Sequence, residues 1–335
     1  DLKRTLAQGP EAPAVASSDA PTTSRGNPRA LLIVAVLALG LGAVAAWSLK
    51  HAPEAPETLD ARFDVILPDG EIFSSNYNRI ATISPDSRYL AYTAQGLLVR
   101  PLNDTQSRMV ANSSSARSPA FSFDSRQVAY WENGVIKRVS IDGGTAIVVT
   151  QLDERPMGMH WADDDYIYVG RADEGIWRAP GAGGEMEPVI TLDAGDYAHG
   201  PELLPGGEWI LFTLCHSVRG WSKASIVAQS LTSNERRVLI PHGREVRYVK
   251  SGYLTYVDAG TLFAVSFDAD AVQVSGSAVA METSVHMSAE DETGAASYDV
   301  SDDGMLAYAP PAGYGSASST RLLFQDTDGN TTPLP

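Results

Sequence analysis

The chain has 335 residues, of which 44% are hydrophobic and 20% are charged, and this composition excludes a disordered protein. Its formal net charge of −16 argues against nucleic acid as a partner, because phosphate binding needs clustered lysine and arginine. The single cysteine, Cys215, excludes an intrachain disulfide and a zinc site made of four cysteines.

The N-terminal region has the composition of a linker. Residues 1–29 are a mixture of proline, alanine, serine and threonine without apolar periodicity, so we expect a disordered, cytoplasmic linker. The chain begins with Asp1 rather than methionine, and residues 330–335 do not resemble a natural C-terminus. We therefore expect a piece of a longer polypeptide.

An uncharged apolar run, residues 30–49, follows the linker. At about 1.5 Å per residue it reaches roughly 30 Å, the thickness of a bilayer core, and predicts a transmembrane helix. Arg25 and Arg29 precede the run and predict that its N-terminal side is cytoplasmic. The expected location is the cell inner membrane, with a single pass and the C-terminal part in the periplasm.

The apolar run has one alternative interpretation and one further feature. A cleaved secretory signal, with its cleavage site at 43–45, would also place the remainder outside the cytoplasm. Small residues spaced four apart (Ala38, Gly42 and Ala46) fit a helix-dimer face, which leaves a homodimer open.

Beyond a short linker at 50–61, a pattern recurs with a period of about forty residues. Residues 83–92, ISPDSRYLAY, are the clearest copy, and residues 121–130, FSFDSRQVAY, repeat it. In each copy a tight turn joins an apolar strand to a strand of aromatic and aliphatic residues. The further copies are at 161–168, 203–212, 248–256 and 300–308.

A second apolar element follows each copy and predicts a second hairpin. These elements lie at 97–100, 135–138, 175–178, 225–228, 262–265 and 322–324. Two hairpins per repeat give four antiparallel strands, which is typical of a propeller blade. We predict an all-β fold, a β-propeller of about six four-stranded blades over residues 62–335, truncated at the C-terminus if a seventh blade follows. A strand at 62–67 would complete the last blade and close the ring.

The repeats resemble the TolB-like, WD-repeat-like propeller family. The family pattern is an apolar residue, Ser-Pro-Asp-Gly, a basic residue and then Leu/Ile-Ala-Tyr, and residues 83–92 match it with Ser87 in the glycine position. The other copies depart more, because Phe123 replaces the proline and the third copy is shorter. The resemblance covers about residues 62–330 and implies a fold rather than a function.

The order of linker, span and propeller is similar to that of bacterial membrane-anchored serine/threonine protein kinases. That resemblance implies an extracytoplasmic sensor, the C-terminal part of a receptor kinase, which binds a protein or small-molecule ligand on a propeller face. None of the kinase motifs is in this chain, so no catalytic residue, cofactor or metal is assigned. The alternatives are the propeller domain of a prolyl-oligopeptidase-like hydrolase, a TolB-like envelope scaffold with no effector, and a transcription regulator with a winged-helix N-terminus.

Four kinds of residue are candidates for functional sites. The two acidic runs, 163–165 and 326–330, fit blade turns better than calcium ligands. The sequons at Asn103 and Asn112 are of a kind that is common by chance. The histidines lack metal-ligand spacing and are expected in the core or in loops: His51, His160, His199, His216, His242 and His286. The aromatic residues expected in core packing rather than on a recognition face are Tyr92, Tyr130, Trp161, Trp177 and Trp209.

Overall fold

The computed structural model describes residues 78–282, 285–288 and 292–309, together with the backbone of two strands at 64–66 and 321–323. The predicted linker, apolar span and second linker, at 1–61, lie outside these residues. Within the part of the chain that is described, no helix is long and apolar enough to cross a membrane.

The described residues form an all-β structure with one short 3₁₀ turn at Trp221–Lys223. The first strand is β1 (Asp64–Ile66). Blade 1 contains β2 (Ala81–Ile83), β3 (Tyr89–Thr93), β4 (Leu97–Pro101) and β5 (Arg108–Ala111). Blade 2 contains β6 (Arg117–Phe121), β7 (Gln127–Glu132), β8 (Val135–Ser140) and β9 (Ile147–Gln151). Blade 3 contains β10 (Met159–Trp161), β11 (Tyr166–Gly170), β12 (Ile176–Pro180) and β13 (Glu187–Ile190).

Two further blades follow the same order. Blade 4 contains β14 (Tyr197–Leu203), β15 (Trp209–Cys215), β16 (Ser225–Ser230) and β17 (Arg236–Ile240). Blade 5 contains β18 (Arg244–Val249), β19 (Tyr253–Asp258), β20 (Thr261–Asp268) and β21 (Gln273–Glu282). Within each blade, consecutive strands pair antiparallel, as the two predicted hairpins per repeat require.

The sixth four-stranded sheet is composite. It contains β22 (Tyr298–Val300), β23 (Leu306–Tyr308), β24 (Arg321–Leu323) and, outermost, β1. Asp64 lies opposite Leu323 and Ile66 lies opposite Arg321. The strand predicted at 62–67 therefore pairs with the last repeat. Five blades, rather than six, are made of consecutive strands.

The first strands of the sheets contact one another in a closed circle. β2 contacts β6, β6 contacts β10, and the circle continues through β14, β18 and β22 back to β2. Because each sheet is apolar on both faces, a stable arrangement has every blade covered by its two neighbours. The apolar clusters show this packing between neighbouring blades. In one of them, Leu97 and Val99 of blade 1 pack with Val128 and Tyr130 of blade 2.

The turn between the first and second strands explains the recurring sequence pattern. The Ser84 hydroxyl donates to Asp86 (2.6 Å) and accepts from two following backbone amides. The Ser122 hydroxyl donates to Asp124 and accepts from the Gln127 amide. One turn position is left-handed in all six sheets, which is why glycine is the family residue there. It is occupied by Ser87, Ser125, Asp165, Gly207, Gly252 and Gly304.

Candidate functional site

One position in each of the six first strands lines a common pocket at the centre of the circle. The position is two residues before the start of the turn. We call these six residues the inner ring: Thr82, Ala120, His160, Glu202, Arg247 and Asp299. With Arg79 they line a cavity of about 100 Å³. One position of the first strands thus brings five polar side chains to one place.

The turns form a second ring above the first. We call its six residues the outer ring: Pro85, Phe123, Asp163, Pro205, Lys250 and Asp302. They line an adjoining cavity of about 170 Å³, and Trp161 and Tyr248 form walls of both cavities. The two rings together make a funnel that narrows from the turns towards the charged residues.

Asp299 is held by two arginines at the narrow end. Its Oδ1 accepts from Arg79 Nη1 and from Arg247 Nε, each at 3.0 Å. Its Oδ2 accepts from the Thr82 hydroxyl at 2.5 Å and from the Ile83 amide at 3.1 Å. Burial would raise the pKa of Asp299, but the two guanidinium groups outweigh burial and keep this pKa below its usual value. Asp299 is therefore a fully bonded carboxylate.

Each nitrogen of the Arg247 guanidinium also donates a hydrogen bond within the protein. Its Nη2 donates to Glu245, its Nη1 donates to the Val246 carbonyl, and its Nε donates to Asp299. Burial would lower the pKa of Arg247, but the carboxylates of Glu245, Asp299 and Glu202 outweigh burial and raise it. Arg247 therefore stays charged and serves three carboxylates at once.

Glu202 is the incompletely bonded member of the inner ring. Its Oε1 accepts from the Tyr248 amide at 2.7 Å, but its Oε2 accepts no hydrogen bond from any described residue. The nearest cation is Arg247, with Nη1 at 3.6 Å from Oε2, and the side chain is only 9% exposed. Burial raises the pKa of Glu202 to about 7, and the shared charge of Arg247 opposes that rise only in part.

Two histidines lie near this cluster. The His160 ring lines both cavities and forms no hydrogen bond with the described residues. Burial and then the charges of Arg247 and Arg79 lower the pKa of His160 to about 3, so its imidazole is neutral. His199 is buried with Nδ1 at 3.4 Å from Glu245, and burial lowers its pKa to about 4.

The other histidines lie away from the funnel. His216 Nδ1 is 2.6 Å from Asp196 Oδ1 at the surface, and His242 is exposed. His286 is near Ser297, with 3.3 Å between Nδ1 and the hydroxyl oxygen. His51 lies outside the described residues. Among the described residues, no group of three or more His, Cys, Asp or Glu side chains is placed to hold a metal ion.

The acidic run 163–165 forms the turn between β10 and β11, and Asp165 accepts from the Trp161 indole at 3.0 Å. The run at 326–330 lies outside the described residues. Tyr92 and Tyr130 are fully buried in the core, as predicted. Trp161 is buried as well and also lines the funnel.

The remaining candidates are at the periphery. Trp177 and Trp209 are half-buried under the guanidinium groups of Arg171 and Arg237, at 4.6 and 4.5 Å from the ring centres. Asn103 and Asn112, the two sequon residues, are exposed.

The sequence reasoning did not identify the charged residues of the funnel. Arg79, Glu202, Arg247 and Asp299 belong to no motif, and 220 positions separate Arg79 from Asp299. A signal was nevertheless present. When the six repeats are aligned on their turns, the column two residues before the turn reads Thr, Ala, His, Glu, Arg, Asp among apolar neighbours.

No protein-family model and no curated protein matches this sequence. Solved structures do match it. A chain of a mitotic checkpoint complex is 12% identical with a TM-score of 0.55, over 82% of this chain and 97% of that chain. The putative TolB from Agrobacterium tumefaciens is 14% identical with a TM-score of 0.50, over 74% and 89%. A chain of the nidogen/laminin complex is 15% identical with a TM-score of 0.50, over 66% and 84%.

At these identities the matches show the fold alone. The chain is a β-propeller, and its structural neighbours include a TolB-like protein, in agreement with the resemblance of the repeats.

Proposed function

We propose that this chain is a ligand-binding propeller and that the funnel is its binding site. The observation that carries the proposal is that Glu202 lines the cavity and that its buried Oε2 accepts no hydrogen bond from the described residues. A buried carboxyl oxygen without a hydrogen-bond donor costs free energy, and a ligand that bonds to it offsets that cost.

The composition of the funnel supports binding. Small-molecule sites combine apolar walls with a few converging polar groups, and titratable groups with perturbed pKa values are enriched in them. Here the walls include Phe121, Trp161 and Tyr248, while the base offers the free atoms of Glu202 and His160.

We also propose the wider context in which binding acts. The run at 30–49 anchors the chain in the inner membrane, the propeller faces the periplasm, and the ring closes as six blades through β1. The parent protein is a receptor-type serine/threonine protein kinase, with ligand binding coupled to dimerisation across the span. This proposal is supported by the order of linker, apolar run and repeats along the sequence.

The binding proposal is tested with the full chain in detergent. Its thermal unfolding, followed by tryptophan fluorescence, is recorded with a panel of small amines, carboxylates, amino acids and sugars. We expect at least one compound to raise the midpoint, and Ala120→Leu, which fills the base of the funnel, to remove that rise. Ala182→Leu, at an exposed alanine, is the matched control. Shifts that survive in Ala120→Leu would contradict the proposed site.

The membrane arrangement is tested by cysteine labelling in spheroplasts. Cys215 is 2% exposed and stays unlabelled in the folded protein. Val238→Cys, at a position that is 63% exposed, should react with a membrane-impermeant maleimide without lysis. Ser17→Cys in the linker should react only after lysis. The reverse pattern would contradict the orientation, and an open frame upstream of Asp1 without His-Arg-Asp and Asp-Phe-Gly would contradict the kinase.

A further inference from the structure

This inference rests on the proposed binding function of the funnel and specifies the chemistry of its ligand. We infer that the funnel binds an organic cation, an ammonium group on a short apolar chain, and that the ammonium donates to the free Oε2 of Glu202. Charge, bonding and wall chemistry carry the inference independently.

The hydrogen bonds at the base leave Glu202 as the carboxylate without a donating cation. Arg79 and Arg247 donate to Asp299, and Arg247 also donates to Glu245. A third cation, Arg244, acts on His199 beside Glu245. No described cation donates to Glu202 Oε2, from which Arg247 Nη1 is 3.6 Å away. A positive charge placed at Oε2 would stabilise the ionised carboxylate, since a buried carboxylate requires a cation or a proton.

An anion has no comparable place at the base. All three nitrogens of the Arg247 guanidinium already donate to acceptors of the protein. Arg79 donates through Nη1 to Asp299 and through Nη2 to the carbonyls of Pro119 and Met159, at 3.5 and 3.4 Å. An anionic ligand would have to lie beside three carboxylates and share guanidinium groups that already donate to the protein.

Acidic residues also predominate at the wide end of the funnel. Asp163 and Asp302 stand in the outer ring, and its one cation, Lys250, is already paired with Asp302 at 2.6 Å. Asp86, Asp124 and Asp303 surround the shallow depression just beyond. Such a lining gives a negative potential that concentrates cations and repels anions on approach.

The walls fit the remainder of such a ligand. Trp161 and Tyr248 flank the passage between the two cavities, and aromatic faces attract ammonium groups as well as alkyl chains. The neutral imidazole of His160 supplies a second acceptor at the same depth. A base of about 100 Å³ below a cavity of about 170 Å³ accommodates an ammonium group with a short chain above it.

Three probes of one shape and different charge test the inference: n-butylammonium, 1-butanol and butyrate. Their binding to the full chain is measured by titration calorimetry at pH 7. We expect n-butylammonium to bind and the other two not to. Glu202→Gln should weaken binding at least about tenfold, the effect of losing a hydrogen bond to a buried charge. Glu185→Gln, at an exposed carboxylate, is the control and should leave binding unchanged.

Two further readouts separate a direct contact from a structural effect. Because Glu202 is partly protonated near pH 7, butylammonium binding should release protons from the wild type and none from Glu202→Gln. Asp163→Asn, at the exposed rim, should weaken binding more at low salt than at high salt.

Several outcomes would overturn the inference. Butyrate or butanol binding that is lost in Ala120→Leu would leave the funnel as a binding site but refute the cation. Equal butylammonium affinity in Glu202→Gln, or no butylammonium binding at any concentration that leaves the fold intact, would also refute it. The compound panel described above tests the funnel itself, so failure of the binding function is recognised separately.

Discussion

Replacement of Glu202 by glutamine should make the protein more stable as the pH rises. The side chain keeps its shape, and the amide oxygen can still accept from the Tyr248 amide, which lies 2.7 Å from Oε1. The buried ionisable group is lost, and nothing else in the funnel changes its charge. The perturbation therefore isolates the free energy of ionising Glu202 in the folded protein.

The magnitude follows from the pKa of Glu202, which burial raises from 4.5 to about 7. A carboxyl with a raised pKa in the folded state does not penalise folding below pH 4.5. The penalty grows as the pH rises towards 7, because the unfolded chain loses this proton first. At about 1.4 kcal/mol for each tenfold change in the protonation equilibrium, the penalty above pH 7 is roughly 3 kcal/mol. The Glu202→Gln variant does not carry this penalty.

The assay is urea unfolding of the wild type and of Glu202→Gln in the same detergent at pH 5 and at pH 8. Relative to the wild type, the variant should gain about 2 to 3 kcal/mol in free energy of unfolding between these pH values. His160 and His199 have lowered pKa values, so their protonation decreases the free energy of unfolding as the pH falls below 6.5. This decrease occurs in both proteins. Their contribution therefore cancels in the difference.

A constant difference between the two proteins at pH 5 and pH 8 would refute this reasoning, and so would a loss for the variant at high pH. Glu185→Gln, at an exposed carboxylate, should give a difference that does not change with pH. The absolute difference at either pH is less informative, since the new amide group can point its donors at Arg247, 3.6 Å from Oε2.

Three further changes are checked by urea unfolding at pH 7. Arg247→Met should destabilise by about 3 to 5 kcal/mol, because it leaves the buried Glu245 without its cation and Asp299 with Arg79 alone, and Glu245→Gln should restore part of the loss. Ala259→Asn should stabilise by about 0.5 to 1 kcal/mol, because φ is +48° in the turn before Gly260, where the equivalent Asn133-Gly134 turn has asparagine. Gly175→Ala should cost at least about 2 kcal/mol, since φ is +87° and a Cβ would lie 2.0 Å from the Ile190 carbonyl oxygen.

Most of the fold could be predicted because its signals are local. A tight turn between an apolar strand and a strand ending in Ala-Tyr is visible in ten residues, and residues 83–92 form that hairpin. The closure by β1 was also accessible, since an unpaired apolar strand ahead of the first repeat needs a partner. The fourth strand of each blade gave no clear pattern, because it lies at an edge and is half exposed: β21 is exposed along most of its length.

The site was not accessible in the same way. Arg79, Glu202 and Asp299 meet only because the ring closes, and no local spacing relates residues so far apart in the sequence. Their chemistry is also set by their neighbours. A glutamate at position 202 would be read as exposed, yet its burial in the ring raises its pKa and leaves one oxygen free.

The propeller architecture accounts for this division. The turn and the second strand perform the same structural task in every blade, so the repeats resemble one another there. The inner-ring position borders the central pocket, and there its side chains meet those of neighbouring blades through polar contacts, such as Arg247 with Asp299. Six equivalent positions can thus carry Thr, Ala, His, Glu, Arg and Asp on one scaffold. In such a protein, the repeat position whose residue type differs most between blades is the best candidate for a functional position. In this chain that position is the inner ring, and it contains Glu202.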